Sequence, residues 1–175
     1  MKRLFKIVIS LCVMSICFGL NTSAQTITKN TLPKNLKEAQ MNFQMDFSKA
    51  MILGMSESEF AEYEKDWYDD KPTIIHNFVV GANLALGKSY RFGDYKNARY
   101  AVKVLVNTIT EEGFFICEVD IVDEKNEVVF HLDSLTGGSE PAIGIGTKLA
   151  RMKVWATLTG KKLGSILKNE FSSNR

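Results

Sequence analysis

The sequence predicts an α+β domain of two layers: a mostly antiparallel sheet of four or five strands with helices packed on one face. Three observations predict it. Residues 41–48 alternate apolar and polar side chains with a period of two. Residues 56–87 carry apolar side chains at helical spacing, and residues 99–135 return to a Val- and Thr-rich pattern broken by two short turns, ahead of a final amphipathic stretch. With 175 residues, 45% of them hydrophobic and 24% charged, one domain is the expectation, and such a chain buries a core without disulfides or metal.

Taken in order, the chain opens on a short basic segment with Lys2, Arg3 and Lys6. An apolar run over residues 7–20 follows, and then the small residues Thr22, Ser23 and Ala24. This is the layout of a secretory signal peptide, with cleavage after Ala24. The run is shorter than the about 20 residues a membrane-spanning helix needs. A lipoprotein reading competes through Cys12 or Cys17, although the residues before them, Leu11 and Ile16, are bulky where a lipidation signal wants a small one. Cleavage removes both cysteines and leaves Cys117 alone, which excludes a disulfide-stapled secreted scaffold. No Asn-x-Ser/Thr acceptor follows residue 24, so the expected location is the periplasm or cell surface of a Gram-negative bacterium. Loss of the basic segment also brings a formal charge of +2 to near neutrality. A near-neutral chain lacks the broad basic field that nucleic acid requires, and no nucleic-acid partner is expected.

Residues 25–40 are polar, contain Pro33 and show no period, which reads as a flexible leader before a single domain over residues 41–175. Met41, Phe43, Met45 and Phe47 against Asn42, Gln44, Asp46 and Ser48 predict the first strand. Ser56 and Glu59 form a capping box, and Phe60, Tyr63 and Trp67 recur on a helix expected to run to about Asp69. Pro72 is placed as the first residue of a second helix that carries Ile74, Ile75, Phe78, Val79, Ala82 and Leu84 toward Gly87. A short aromatic strand around Tyr90 and Phe92, then a meander over residues 99–109, 114–122 and 127–135, follow. Its turns at Glu111-Glu112-Gly113 and at residues 123–126 make antiparallel pairing the natural result. A glycine-rich loop over residues 137–146 leads into a helix over residues 147–171, with Leu149, Met152, Ala156, Leu163 and Leu167 on one stripe.

The loop does not fit phosphate-binding motifs: Gly146 is followed by Thr147 and Lys148, not by Lys and Ser/Thr, and no Gly-x-Gly-x-x-Gly is present. Gly160 and Gly164 smooth one stripe of the last helix for close packing on the sheet. The carboxylates Glu57, Glu59, Glu62, Glu64, Asp66, Asp69 and Asp70 surround a helix and do not converge, so they read as a solvated face that the basic last helix can complement. His76 and His131 are the two histidines, and neither has ligands at i+3 or i+4, so no metal and no cofactor is expected. Cys117 alternates with Phe115, Val119 and Ile121 on a buried strand face and has no base beside it.

The outward faces of the meander are more informative. Lys103 and Asn107, Glu118 and Asp120, and His131 and Asp133 alternate outward on three strands expected to be neighbours, giving one exposed polar surface if helices cover only the apolar side. These six residues are the candidate binding site, and no catalytic residue is assigned. An export signal ending Ser23-Ala24-Gln25, the string Asp46-Phe47-Ser48, Gly54-Met55-Ser56-Glu57-Ser58-Glu59-Phe60, a Trp-bearing acidic helix and Asn97-Ala98-Arg99-Tyr100-Ala101-Val102-Lys103-Val104 lead into a meander and a closing helix. This layout resembles a family of small secreted proteins of Bacteroidota. At a coarser level it is similar to periplasmic lipoprotein domains of the curli-secretion-accessory and penicillin-binding-protein-activator type, which implies a non-enzymatic assembly role. The expectation is a non-catalytic envelope interaction domain with an envelope protein as partner. The rival is a small exported ligand-binding protein or enzyme that uses the polar surface around His131.

Overall fold

The computed structural model describes residues 25–33, 40–87, 91–137 and 146–173. The expected export signal with Cys12 and Cys17 lies outside the described residues, as do residues 34–39 of the expected leader and 138–145 of the glycine loop. The elements are β1 (Thr26–Asn30), β2 (Gln40–Asp46), β3 (Met51–Ile52), β4 (Met55–Ser56), α1 (Glu57–Tyr63), α2 (Trp67–Leu86), β5 (Arg91–Gly93), β6 (Tyr100–Ile109), β7 (Phe115–Val122), β8 (Val128–Thr136) and α3 (Lys148–Ser173).

The α+β class is as expected, but the sheet is larger and mixed. Among the described residues eight strands belong to it, in the order β1-β8-β7-β6-β2-β5, with the short β3 beside β6 and β4 paired to β3. The predicted meander is antiparallel through β6, β7 and β8, whose turns are too short for anything else. β2 instead runs parallel to both of its neighbours, β5 and β6. The long excursion through α1 and α2 lets the chain return in the same direction, as a parallel crossover demands. Residues 26–30 correct the flexible-leader expectation. They form β1 and pair antiparallel with the outer edge of β8, and Leu32 just beyond is buried. All five residues of β1 are exposed, so the strand carries no periodic apolar signal; it is held by its backbone pairing with β8 and by the Asn30 side-chain amide donating to Glu170 of α3.

The helical region also differs from expectation. Ser56 caps α1 as predicted: its side chain accepts from the Glu59 amide, and a Glu59 carboxylate oxygen accepts from the Ser56 amide at 2.8 Å. That helix stops at Tyr63, however, and the next begins at Trp67, so Pro72 sits inside α2 and does not open it. The bond Pro72 cannot donate would go to the carbonyl of Tyr68, an exposed residue in the first turn of the helix. The early start seats Trp67 fully in the core, edge-on to Phe47 and Phe60, with its indole N–H donating to Glu57 Oε1 at 3.0 Å.

The core lies between the sheet and the two long helices. Val102, Val104 and Val106 of β6, Phe115, Cys117, Val119 and Ile121 of β7, and Phe130, Leu132 and Leu135 of β8 alternate into it. Ile74, Phe78 and Ala82 of α2 and Met152, Ala156, Leu163 and Leu167 of α3 meet them from the other side. Gly160 and Gly164 do not smooth α3 for the sheet, as expected, but for α2. A Cβ at Gly160 would lie 2.0 Å from the Phe78 carbonyl oxygen, one at Gly164 2.3 Å from that of Ala82, and one at Gly81 2.0 Å from that of Thr157. The helices therefore touch backbone to backbone. The expected complementarity of acidic and basic helices takes the form of one part-buried pair, Lys153 with Asp70 at 2.7 Å.

Candidate functional site

Because both long helices pack on one face, no described element covers the other face of the sheet, and the pleat decides what it presents. In β6, β7 and β8 the residues that alternate with the buried set are all half-buried. Lys103, Asn107, Glu118, Asp120, His131 and Asp133 all fall on this face, and the strand registers bring them into contact distance. Asn107 occupies a bulge in β6 and donates its side-chain amide to Glu118 Oε1 at 2.8 Å. Lys103 stands opposite Asp120, and its ammonium donates to Asn126 Oδ1 in the β7–β8 turn at 2.6 Å.

His131 is the centre of the arrangement. Its Nδ1 lies 2.6 Å from Asp120 Oδ1 on the neighbouring strand and its Nε2 lies 2.9 Å from Asp133 Oδ1 on its own. A neutral imidazole carries one N–H, so it donates to only one of two carboxylates; the imidazolium donates to both. The hydrogen bond to Asp120, helped by Asp133 and by the negative charge of both, raises the pKa of His131 above its ordinary value against the opposing effect of partial burial. Asp133 is followed by Ser134 with φ 52°, where β8 bulges against β7. Ordinary alternation keeps Asp133 on the same face as His131, two residues away, and the bulge returns Leu135 to the core.

Three residues of the face were not anticipated. β2 lies beside β6, so Gln44 stands opposite Lys103 and Asp46 opposite Leu105. The strict alternation of residues 41–48 had placed both on a polar side; what it could not supply was the neighbouring strand. Lys29 of β1 stands opposite His131, in a segment without any strand signal. Together the registers set Lys29, His131, Asp120, Lys103 and Gln44 in one row across five adjacent strands. With strands about 4.8 Å apart the row is about 19 Å long. Beside it Gln44, Asp46, Lys103, Leu105, Glu118 and Asp120 line a depression of about 290 Å³, with His131 outside its lining. Asp46 accepts the Ser48 amide at 2.8 Å, which with the Ser48 hydroxyl holds its carboxyl below the usual range and ionised at neutral pH.

The remaining candidates of the sequence are structural. Cys117 is fully buried and burial alone pushes its thiol pKa far up, so it is a core residue. Among the described residues no group of three or more His, Cys, Asp or Glu side chains is placed to hold a metal ion, and no helix is long and apolar enough to cross a membrane.

Fold and face together define a class: an α+β domain with one side of its sheet sealed by helices and the other presenting an ordered polar row. Compared with known protein families and with curated proteins, the chain matches none. Among solved structures it is similar to the PelC dodecamer from Paraburkholderia phytofirmans, at 15% identity and a TM-score of 0.42 over 82% of this chain and 96% of that one. A point variant of the same dodecamer gives 13% identity and the same TM-score over 82% and 95%.

Proposed function

We propose that this chain is an exported, non-catalytic cell-envelope domain that binds a partner protein across the open face of its sheet. The observation that carries the reading is the row Lys29, His131, Asp120, Lys103 and Gln44, set on five strands of a face that no described helix covers. An open sheet face needs only polar side chains to stay soluble, and unpaired ones serve that purpose. Here His131 is tied to Asp120 and Asp133, Asn107 to Glu118 and Lys103 to Asn126, so at the centre of the face a partner meets groups whose positions are already set. The same bonds speak against a reaction at His131, because both ring nitrogens are engaged with carboxylates and neither faces a ligand as a free base.

The experiment is crosslinking of the tagged mature protein in its native envelope, followed by mass spectrometry of what is captured. Wild type and a double charge swap, Lys103→Asp with Asp120→Lys, are compared. The swap keeps an attractive cross-strand pair while giving up the bonds to His131 and Asn126, so a thermal melt first establishes that the variant folds; what it inverts is the pattern the partner reads. One envelope protein captured by wild type and lost by the swap is the expected result. Equal capture by both, or recovery of the chain alone, overturns the proposal.

A further inference from the structure

A second concavity lies apart from the sheet face. About 620 Å³ in volume, it sits where the β3–β4 hairpin, the end of α1, the β6–β7 turn and the first turn of α3 meet. That volume suits a small molecule. Its walls are chemically distinct. Leu53 and Met55 of the hairpin and the ring of Tyr63, whose residue is 60% exposed, form an apolar side. Lys148 and Arg151 of α3 supply cations, and Glu111 and Glu112 of the turn supply anions.

These charges are not spent on each other. Lys148 donates to the Tyr63 hydroxyl at 2.7 Å and sits 4.3 Å from the centre of its ring; Arg151 reaches only the backbone carbonyl of Glu111, at 3.4 Å. Neither cation pairs with a carboxylate among the described residues, although two carboxylates line the same space. The apolar wall is also held at some backbone cost: Leu53 has φ 52°, a left-handed conformation that a leucine adopts only when its surroundings enforce it, and its amide is anchored to the Ile109 carbonyl at 2.9 Å.

Two cations, two anions and an apolar wall fit one ligand chemistry. We propose that this concavity binds a zwitterion of the amino-acid or short-peptide class with an apolar side chain. The ligand carboxylate is met by Lys148 and Arg151, its ammonium by Glu111 and Glu112, and its side chain by Leu53, Met55 and Tyr63. A ligand of net charge zero leaves the local charge balanced, which a simple anion or a simple cation does not. The site is separate from the sheet face, so the proposal stands or falls independently of the partner-binding reading.

The test uses the mature chain and isothermal titration with three probes: L-leucyl-L-leucine, its N-acetylated form and its C-terminal amide. The free dipeptide is expected to bind at least about tenfold more tightly than either blocked form, the worth of one charge-assisted hydrogen bond. Lys148→Met is expected to weaken the free dipeptide and leave the amide unchanged; Glu112→Gln is expected to weaken it and leave the acetylated form unchanged. Both positions are at the surface, and a thermal melt confirms that each variant folds. No saturable binding of the dipeptide, equal binding of all three probes, or variants that weaken all probes alike overturns the assignment.

Discussion

Replacing Gly160 with alanine sets two effects of opposite sign against each other. Helix propensity alone favours alanine over glycine within a helix by about 1 kcal/mol. Packing opposes it, because the new Cβ would stand 2.0 Å from the Phe78 carbonyl oxygen and 3.1 Å from the Ala82 nitrogen, where real Cβ contacts essentially never fall under 3.0 Å. Backbone lies on both sides, so no side chain can swing away, and α2 and α3 must part by about 1 Å along a seam that Gly81 and Gly164 share. Overpacking of a tight core costs about 1–3 kcal/mol, and a backbone neighbour puts this site at the upper end. The expected net loss is about 2 kcal/mol, which in a domain of this size lowers the melting midpoint by roughly 4–8 °C. Urea and thermal unfolding followed by circular dichroism measure it, with Ser165→Ala on the exposed side of the same helix as the propensity control, expected to be neutral or slightly stabilising. A Gly160→Ala protein as stable as its parent, or more so, refutes the backbone-to-backbone seam.

Three further outcomes are expected. Ser56→Ala removes the cap of α1 and should cost about 1 kcal/mol in urea unfolding, with a loss near zero counting against the cap. His131 has a raised folded-state pKa, so the stability it contributes is complete below the unfolded value of about 6.5 and is lost as pH rises through the folded value. The stability gap between wild type and His131→Gln should therefore narrow as pH climbs through that window, and a gap that stays constant refutes the double hydrogen bond. Cys117 should react with a thiol reagent only through opening of the fold, in one slow phase that levels off at the unfolding rate once labelling outruns refolding; fast labelling of the native protein would show that its strand face is open.

How much of this was legible in the sequence follows the reach of the interactions involved. The meander from Tyr100 to Thr136 was legible because its strands alternate cleanly and its turns are local, so neighbours in sequence are neighbours in the sheet. The outward set Lys103, Asn107, Glu118, Asp120, His131 and Asp133 followed from the same alternation. β2 was legible as a strand with Gln44 and Asp46 on its polar side, but its parallel pairing with β6 is set by where the α2 crossover delivers the chain. β1 was illegible for a different reason: its side chains are all exposed, and what places it is the free backbone edge of β8. Pro72 misled because a proline is better tolerated at the start of a helix, whereas the burial of Trp67 fixes where α2 begins. The glycines of α3 announced a close approach without saying to what. The concavity joining Tyr63 to Lys148 brings together positions that no local pattern relates.

The exposed edge strand β1 also orders events in time. The hairpins of β6, β7 and β8 close loops of a few residues, whereas the pairing of β1 with β8 closes one of roughly a hundred residues and its entropy is correspondingly larger. β1 has no apolar face with which to wait in a collapsed intermediate. It docks onto an edge that exists only once β8 is in place, although it is made before every other described element. Until then the edge of β8 is bare and able to pair with the edge of another chain. The few polar residues of β1 thus cover the edge of β8 and leave in its place a short edge that carries Lys29.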